Sequence, residues 1–194
     1  MKRSLLKLLF SLALLSGGKA LAQSWPYLAS ESQISSNAVS YTSIITADVT
    51  LNSELYASVP HVAYTENGAA RVKRFINSEW ESVGGNITTG STSYTYLFAD
   101  GQGKLYLNYV DESTTGAKRL VVKTFNGNTN TWEALGGNSS NLYLSSGSII
   151  QTYGSQHTYA HNSWMAFDAN NTPYVVFSEF STNSGKPVVK KYDG

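Results

Sequence analysis

A repeated string of residues constrains the fold of this chain more than any other feature. Trp-Glu-X-X-Gly-Gly occurs twice, beginning at Trp80 and at Trp132, 52 residues apart. Two short runs rich in Val, Tyr, Thr and Phe precede each string, and a third pair of such runs lies near Gly194. Runs of this composition, bounded by Gly, Asn, Asp and Ser, are typical of β-strands joined by turns.

The runs recur in the same order in three units. The first run of each unit covers residues 60–66, 105–111 and 173–179, and the second covers 71–75, 120–125 and 187–192. A further strand is predicted ahead of the first run in the later two units, at 93–99 and 163–167. Four strands in about 45 to 50 residues is the pattern of a propeller blade. The sequence therefore predicts an all-β fold of antiparallel four-stranded β-propeller blades, at about residues 41–90, 91–147 and 148–194.

Two features of this repeat leave the architecture open. A β-sandwich is the alternative fold, although a sandwich does not require the repeated Trp and Gly-Gly. The third unit also reaches Gly194 before a Trp strand, so the propeller is expected to be incomplete, with about three blades where closed propellers have four to eight. We expect either a longer protein or an oligomer that closes the ring. Ser24-Trp25, in the segment 23–40, is a candidate closing strand.

The repeat resembles blades of known proteins. Pro173-Tyr174-Val175, the string Val-Lys-Lys-Tyr-Asp-Gly at 189–194 and Trp-Glu-X-X-Gly-Gly are similar to blades in large secreted bacterial surface proteins, many of them propellers of unassigned function. The segment from Phe125 to Trp132 distantly resembles a kelch blade. Kelch strands end in Gly-Gly before that aromatic residue, whereas the strands here end in an acidic residue. The resemblance covers about residues 41–194 and implies fold and export, not an activity.

The N-terminal residues have the layout of a secretory signal peptide. Basic residues begin the chain, an apolar stretch follows from Leu8 to Leu15, and Ala20-Leu21-Ala22 predicts cleavage before Gln23. A membrane anchor is the alternative, but it needs about 20 continuous apolar residues, and Gly17-Gly18-Lys19 interrupt the stretch. The sequence predicts a signal peptide at 1–22 and a bacterial protein that is secreted, periplasmic or on the cell surface.

Composition narrows the partners of the exported chain. The signal holds four of the 14 basic residues and none of the 13 acidic ones, which leaves 10 basic and 13 acidic groups, a net charge of −3. Nucleic-acid binders need a clustered basic face, so no nucleic-acid partner is predicted. No membrane span is predicted after signal cleavage. The sequence has no Cys, which excludes disulfides and thiolate metal sites.

Three acidic residues recur once per unit and are the candidate ligand-binding residues: Glu66, Asp111 and Glu179. Each lies two residues past an aromatic strand residue, where the chain turns. A rim of carboxylates on a rigid scaffold could hold a cation or a polar sugar. The alternative is that the acids pair across the sheet with lysines that recur on the following strand. We favour this structural interpretation because a residue that repeats in every blade usually serves the blade. The recurring lysines that this interpretation pairs with the acids are Lys73, Lys123 and Lys190.

Other chemistry finds little support in the sequence. His157 and His161 have a spacing that brings ligands together only on a helix, whereas on a strand they would lie about 13 Å apart. No metal site and no cofactor is predicted, and His61 is interpreted as a packed or half-exposed strand residue. The sequence contains no Gly-X-Ser-X-Gly nucleophile turn and no P-loop. The catalytic residues of any enzyme activity are therefore unknown.

The sequence thus leads to one functional expectation with two alternatives. We expect an exported binding module for carbohydrate or another extracellular protein, because blades present loops and the repeat offers no unique catalytic set. One alternative is a glycoside hydrolase or polysaccharide lyase, with catalytic acids in loops or beyond Gly194. The other is a structural repeat segment that spaces other domains.

The signal peptide gives a direct prediction. Protein recovered from the bacterial envelope or medium should begin at Gln23, because Ala20 and Ala22 occupy the positions that a signal peptidase reads. Mass spectrometry of the intact protein measures this terminus. An exported protein that keeps Met1 would contradict the cleavage prediction.

Overall fold

The computed structural model describes residues 33–88, 90–113, 118–135, 143–149, 151–153, 156–159, 163–180 and 184–194, all within one unit, Gln33–Gly194. The regular structure in these ranges is β-strand throughout, which confirms the all-β prediction. None of the described residues forms a helix that is long and apolar enough to cross a membrane. The predicted signal peptide at 1–22 and the candidate closing strand at Trp25 lie outside the described residues.

Among the described residues the strands form three antiparallel sheets of three or four strands, in which neighbours follow chain order, and one two-stranded hairpin. Sheet 1 contains β1 (Val39–Leu51), β2 (Glu54–Glu66), β3 (Ala69–Ile76) and β4 (Glu79–Ser82). Sheet 2 contains β5 (Thr92–Ala99), β6 (Leu105–Asp111), β7 (Arg119–Asn126) and β8 (Thr131–Ala134). Sheet 3 contains β11 (Trp164–Phe167), β12 (Pro173–Glu179) and β13 (Lys186–Lys191), and a separate hairpin precedes it, β9 (Gln151–Tyr153) with β10 (Gln156–Tyr159).

The four-stranded antiparallel sheets are confirmed for the first two units, and the bounds differ in detail. Strand β1 begins at Val39, two residues before the predicted first blade, within the segment assigned to a closing strand. Sheet 3 has three strands in the described ranges. The β9–β10 hairpin was not predicted, because its residues match none of the repeated runs.

Tight turns hold sheet 1 in register. Each of its three turns has two residues, and both residues in each have positive φ: Asn52-Ser53, Asn67-Gly68 and Asn77-Ser78. Such turns match the twist of antiparallel strands, and Asn and Gly accept positive φ most easily. The local sequence therefore determines where each hairpin of this sheet reverses.

Sheet 2 is buried on both faces. Along β6, Leu105, Leu107 and Tyr109 pack in a core shared with sheet 1, while Tyr106 and Val110 pack in a core shared with sheet 3. This alternation is the period of two expected of a strand. A two-layer sandwich covers only one face of each sheet, so a two-sheet sandwich does not describe this stack.

The Trp-Glu-X-X-Gly-Gly string forms the junction between sheets 1 and 2. The indole of Trp132, on β8, is only 7% exposed, and its Nε1 donates a hydrogen bond to the carbonyl oxygen of Val83 at 2.9 Å. A Cβ on Gly84 would lie 2.4 Å from Cδ1 of that indole, and Gly84 has φ of +77°. Trp132 of the second Trp-Glu-X-X-Gly-Gly string therefore packs on Gly84, the first residue of the Gly-Gly pair in the first string.

This junction predicts different costs for two adjacent glycines. Gly84→Ala should lower the free energy of unfolding by about 3 kcal/mol, because overpacking adds to the strain of positive φ. Gly85→Ala is the matched control: Gly85 has φ of +62° but no atom within 4 Å of an added Cβ, so it should cost only about 1 kcal/mol. Urea unfolding of both variants measures the difference. Equal losses would contradict the proposed role of Gly84 as the Trp132 contact.

Candidate functional site

The three repeated acids occupy equivalent places in the three sheets. Glu66, Asp111 and Glu179 are the last residues of β2, β6 and β12. The residues directly opposite them on the next strand are Ala69, Arg119 and Lys186. The predicted cross-strand partners lie elsewhere, since Lys73, Lys123 and Lys190 are opposite Val62, Leu107 and Val175. The prediction of direct pairing between these acids and these lysines is therefore wrong in register.

Glu66 binds the segment that leads into sheet 1. Its carboxylate accepts hydrogen bonds from the hydroxyl of Ser35 and from Nδ2 of Asn37, the latter at 3.3 Å. Nε of Arg71 lies 3.9 Å from the other carboxylate oxygen. These hydrogen bonds, that of Ser35 above all, hold the pKa of Glu66 below its ordinary value against an opposing effect of burial. The side chain is thus committed to contacts within the chain.

Asp111 and Glu179 are bonded to loops in the same manner, Asp111 to residues that follow it and Glu179 to a loop that precedes sheet 3. Asp111 accepts hydrogen bonds from the main-chain nitrogen of Ser113 at 2.8 Å and from the hydroxyl of Tyr143 at 3.1 Å. Glu179 is 7% exposed and accepts hydrogen bonds from Ser146 and from the main chain of Gly147, both at 2.8 Å. A ligand-binding role for the three acids stays a prediction, and their observed contacts are those of loop anchors.

The repeated lysines are loop anchors as well. Nζ of each donates a hydrogen bond to a main-chain carbonyl in the segment that precedes its own sheet: Lys73 to Ile34 at 2.6 Å, Lys123 to Ile87 at 2.6 Å, and Lys190 to Leu144 at 2.7 Å. Burial lowers the pKa of Lys123. The recurrence of Lys in the sequence therefore reflects a recurring main-chain contact.

A polar cleft lies between sheets 1 and 2 at the opposite ends of β2 and β6 from the acids. It encloses about 600 Å³, and its polar lining comes from both sheets: Asp48, His61, Arg74, Glu81, Gln102 and Lys104. Nε of Arg74 is 2.6 Å from Oε1 of Glu81, which makes a close ion pair at the wall. Phe125 adds an aromatic side chain. We refer to this space as the first cleft.

His61 is the most unusual residue of the first cleft. It is fully buried, and its Nδ1 lies 2.9 Å from the carbonyl oxygen of Val59, so Nδ1 carries the proton that forms this bond. Nε2 has no hydrogen-bond partner among the described residues. Burial lowers the pKa of His61; the bond to Val59 opposes this effect, and the charge of Arg74 adds to it. The neutral imidazole therefore holds an acceptor with no described partner beside a cationic side chain.

A second cleft, of about 610 Å³, occupies the corresponding place between sheets 2 and 3. Its residues at the positions of His61, Arg74 and Glu81 are Tyr106, Thr124 and Glu133. The imidazole and guanidinium are thus particular to the first cleft. Sequence reasoning predicted a packed His61 but missed the cleft. The departure of His61 and Arg74 from the repeat was the available signal.

The predictions about histidine and metals have simple outcomes. His157 lies in β10, and His161 lies outside the described residues. Within the ranges that the structure describes, no group of three or more His, Cys, Asp or Glu side chains could hold a metal ion. The sequence matches no protein-family model, and no curated protein matches it as a relative.

The contacts of Glu66 predict a pH-dependent contribution to stability. Because its folded pKa is lowered, the carboxylate stabilises the fold at pH values above its unfolded pKa of about 4.3, and this contribution disappears as pH falls through the folded pKa. Glu66→Gln should lower the free energy of unfolding at pH 7 by about 1 kcal/mol. The difference from wild type should narrow below about pH 4.3.

Urea unfolding between pH 3 and pH 7 measures the effect of Glu66. Glu79→Gln is the control, because it removes the same charge from an exposed side chain at the start of β4. A loss that does not change with pH, or that Glu79→Gln reproduces, would contradict the anchoring role of the Glu66 carboxylate.

Proposed function

We propose that this chain supplies consecutive blades of a β-propeller in an exported bacterial protein, and that its first cleft binds carbohydrate. The stack of sheets supports the propeller. In sheets 1 and 2 the same positions of the central strand, Ala63 and Asn108, face the following sheet, and Leu107 of sheet 2 and Val175 of sheet 3 both face the preceding one. Neighbouring units that repeat one packing relation form an array rather than a closed two-layer sandwich.

The observation that carries the binding proposal is the polar chemistry of the first cleft. Sugar hydroxyls both donate and accept hydrogen bonds, so a sugar site needs both kinds of group beside an apolar face. The cleft is lined by the donors Arg74 and Lys104, the acceptors Asp48 and Glu81, and the ring of Phe125. Oδ1 of Asp48 accepts the N–H of Ser58 and Oε1 of Glu81 accepts Nε of Arg74, so contacts to a sugar would fall to the other oxygen of each carboxylate and to the terminal nitrogens of Arg74. Aromatic rings suit surfaces where apolar contact and water meet. Strands of the two sheets carry Asp48, Arg74, Glu81 and Phe125, whereas Lys104 lies in the turn before β6.

The repeated polar residues support a binding or structural role over catalysis. The acids and lysines that recur in every unit are engaged with main-chain or side-chain groups of the fold. The groups that differ between units, His61 and Arg74, gather in one cleft. Side chains that differ between units, held on a framework that repeats from unit to unit, are typical of a recognition site on a structural scaffold. Export of the protein is supported by the signal-like residues 1–22.

A glycan array with matched variants tests the proposal. Arg74→Thr places the residue of sheet 2 in the first cleft, and Glu81→Gln removes its carboxylate charge. Each should weaken binding of the glycans that wild type retains by at least about tenfold, or about 1.4 kcal/mol. Glu133→Gln makes the same change in the second cleft and should leave binding unchanged.

The folding of these variants is checked by circular dichroism and thermal unfolding. The Glu81 side chain is 44% exposed, and a Gln there keeps an oxygen that can accept the hydrogen bond from Nε of Arg74, so Glu81→Gln should stay folded. Equal weakening by Glu81→Gln and Glu133→Gln, or no retained glycan, would reject the first cleft as a sugar site. Release of reducing sugar from a retained glycan would instead favour a glycoside hydrolase.

A further inference from the structure

A third space lies beside β13, between sheets 2 and 3. It encloses about 240 Å³ and shares Leu135, Pro173, Lys191 and Tyr192 with the second cleft. Apart from Lys190 and Lys191 its lining is apolar or aromatic: Val122, Leu135, Tyr143, Leu144, Pro173, Val175 and Tyr192. We refer to it as the β13 groove.

The equivalent space between sheets 1 and 2 is filled by an indole. The ring of Trp132 lies there, 5.4 Å from the ring of Phe125 and bonded to the carbonyl of Val83. The main chain confirms the equivalence: Val83 donates to Val72 at 2.9 Å, and Leu135 donates to Val122 at 3.1 Å. Leu135 of sheet 2 therefore occupies the position that Val83 occupies in sheet 1.

The end of β13 and Tyr192 after it continue the equivalence between the two interfaces. Lys190 and Lys123 make the same contact with a preceding loop, and two residues further along the chain Tyr192 stands where Phe125 stands. In sheet 2, the strand that follows Phe125 is β8, and it delivers Trp132 to the junction. The β13 groove thus has counterparts of two residues that contact the Trp132 indole, and no described residue fills it; Gly136, the counterpart of Gly84, lies outside the described residues.

The edge of β13 offers main-chain groups beside this groove. Among the described residues β13 pairs with β12 alone. Tyr192 donates to the carbonyl of Pro173 at 3.0 Å, so its neighbour Lys191 directs its N–H and C=O to the other side, as does Val189. On β7 the corresponding side pairs with β8. A strand added at this edge would meet the outward main-chain N–H and C=O groups of β13 together with the apolar and aromatic side chains of the β13 groove.

We propose that the β13 groove binds the indole of an extended, tryptophan-bearing strand that adds to the edge of β13. The occupant has the Trp-Glu pattern of β4 and β8, and a separate peptide with that pattern should suffice to fill the groove. Strand addition combines main-chain hydrogen bonds for affinity with a side-chain pocket for specificity. Here the indole would contact Leu135 and Tyr192 as Trp132 contacts Val83 and Phe125.

The chain's own Ser24-Trp25-Pro26 is a poorer occupant for a physical reason. In the β7–β8 ladder the N–H of Leu135 donates to the carbonyl of Val122. The next two residues that exchange main-chain hydrogen bonds in this ladder are Glu133 and Thr124. The residue after the Trp must therefore donate an N–H. Pro26 has none, so the strand with Glu after Trp fits the edge and the strand with Pro does not.

A labelled peptide tests the proposal on the full chain. The peptide copies residues 128–135, and fluorescence anisotropy measures its binding. Replacing its Trp132 by Ala should weaken binding at least tenfold, because the socket is then empty. Replacing its Glu133 by Pro should weaken binding to a similar extent, because an N–H is lost while the indole stays.

Two measurements on the protein locate the peptide. Hydrogen exchange at the amides of Val189 and Lys191 should slow on peptide addition. Val189→Pro removes an outward N–H from an exposed edge residue, so it should weaken binding at least tenfold. Its thermal unfolding should match wild type, since Pro is tolerated on an edge strand.

The outcomes that would overturn the proposal are equally specific. Equal affinity of the Trp132→Ala peptide would show that the groove does not recognise an indole. Absence of binding to wild type, or binding without protection at β13, would reject strand addition there. Binding that emerges only in a Trp25→Ala protein would show that the N-terminal segment holds the groove, contrary to the proposal. None of these results bears on carbohydrate binding in the first cleft.

Discussion

The contact of Trp132 with Gly84 is the constraint on which the stack of sheets depends. A side chain on Gly84 would occupy the position of the indole, so the two sheets reach their packing distance only because one residue has no Cβ. The indole belongs to the ladder of sheet 2 but is buried against sheet 1. Stability therefore resides in the interfaces between neighbours as much as in the single sheets, as in other repeat arrays.

Burial of sheet 2 on both faces makes demands on the polar groups around it. A buried donor or acceptor without a partner is costly, and the loops that join the sheets carry many such groups. The repeated lysines satisfy loop carbonyls, and acids such as Glu179 satisfy loop N–H groups. Thr65 and Thr95 share a hydrogen bond of 2.8 Å across the first interface. The same residue types recur because each sheet presents its neighbour with the same main-chain geometry.

Much of the fold could be predicted from the sequence, and the partners of its polar residues could not. Composition and turn residues identified the strands around Tyr64, Tyr109 and Phe177, because β-propensity and turn chemistry are local. The partner of Glu66 is Ser35 and that of Glu179 is Ser146, in loops whose sequences do not repeat. No spacing rule connects an acid at a strand end to such a loop. His61 was visible only as a departure from the Tyr106 of the next unit.

The polar residues divide into a set that recurs between units and a set that varies. Asp100 and Asp168 illustrate the constant part: each accepts two main-chain N–H groups within its own turn, at 2.9 and 3.0 Å for Asp100 and at 2.9 Å twice for Asp168. The bond from Thr172, chief among these, lowers the pKa of Asp168. An acid used in this way closes a hairpin and has little capacity left for a ligand. We propose that recognition falls to positions that vary between the units, such as Arg74. The buried His61 also varies, and the two residues meet because the antiparallel register of sheet 1 sets Arg74 of β3 directly opposite His61 of β2.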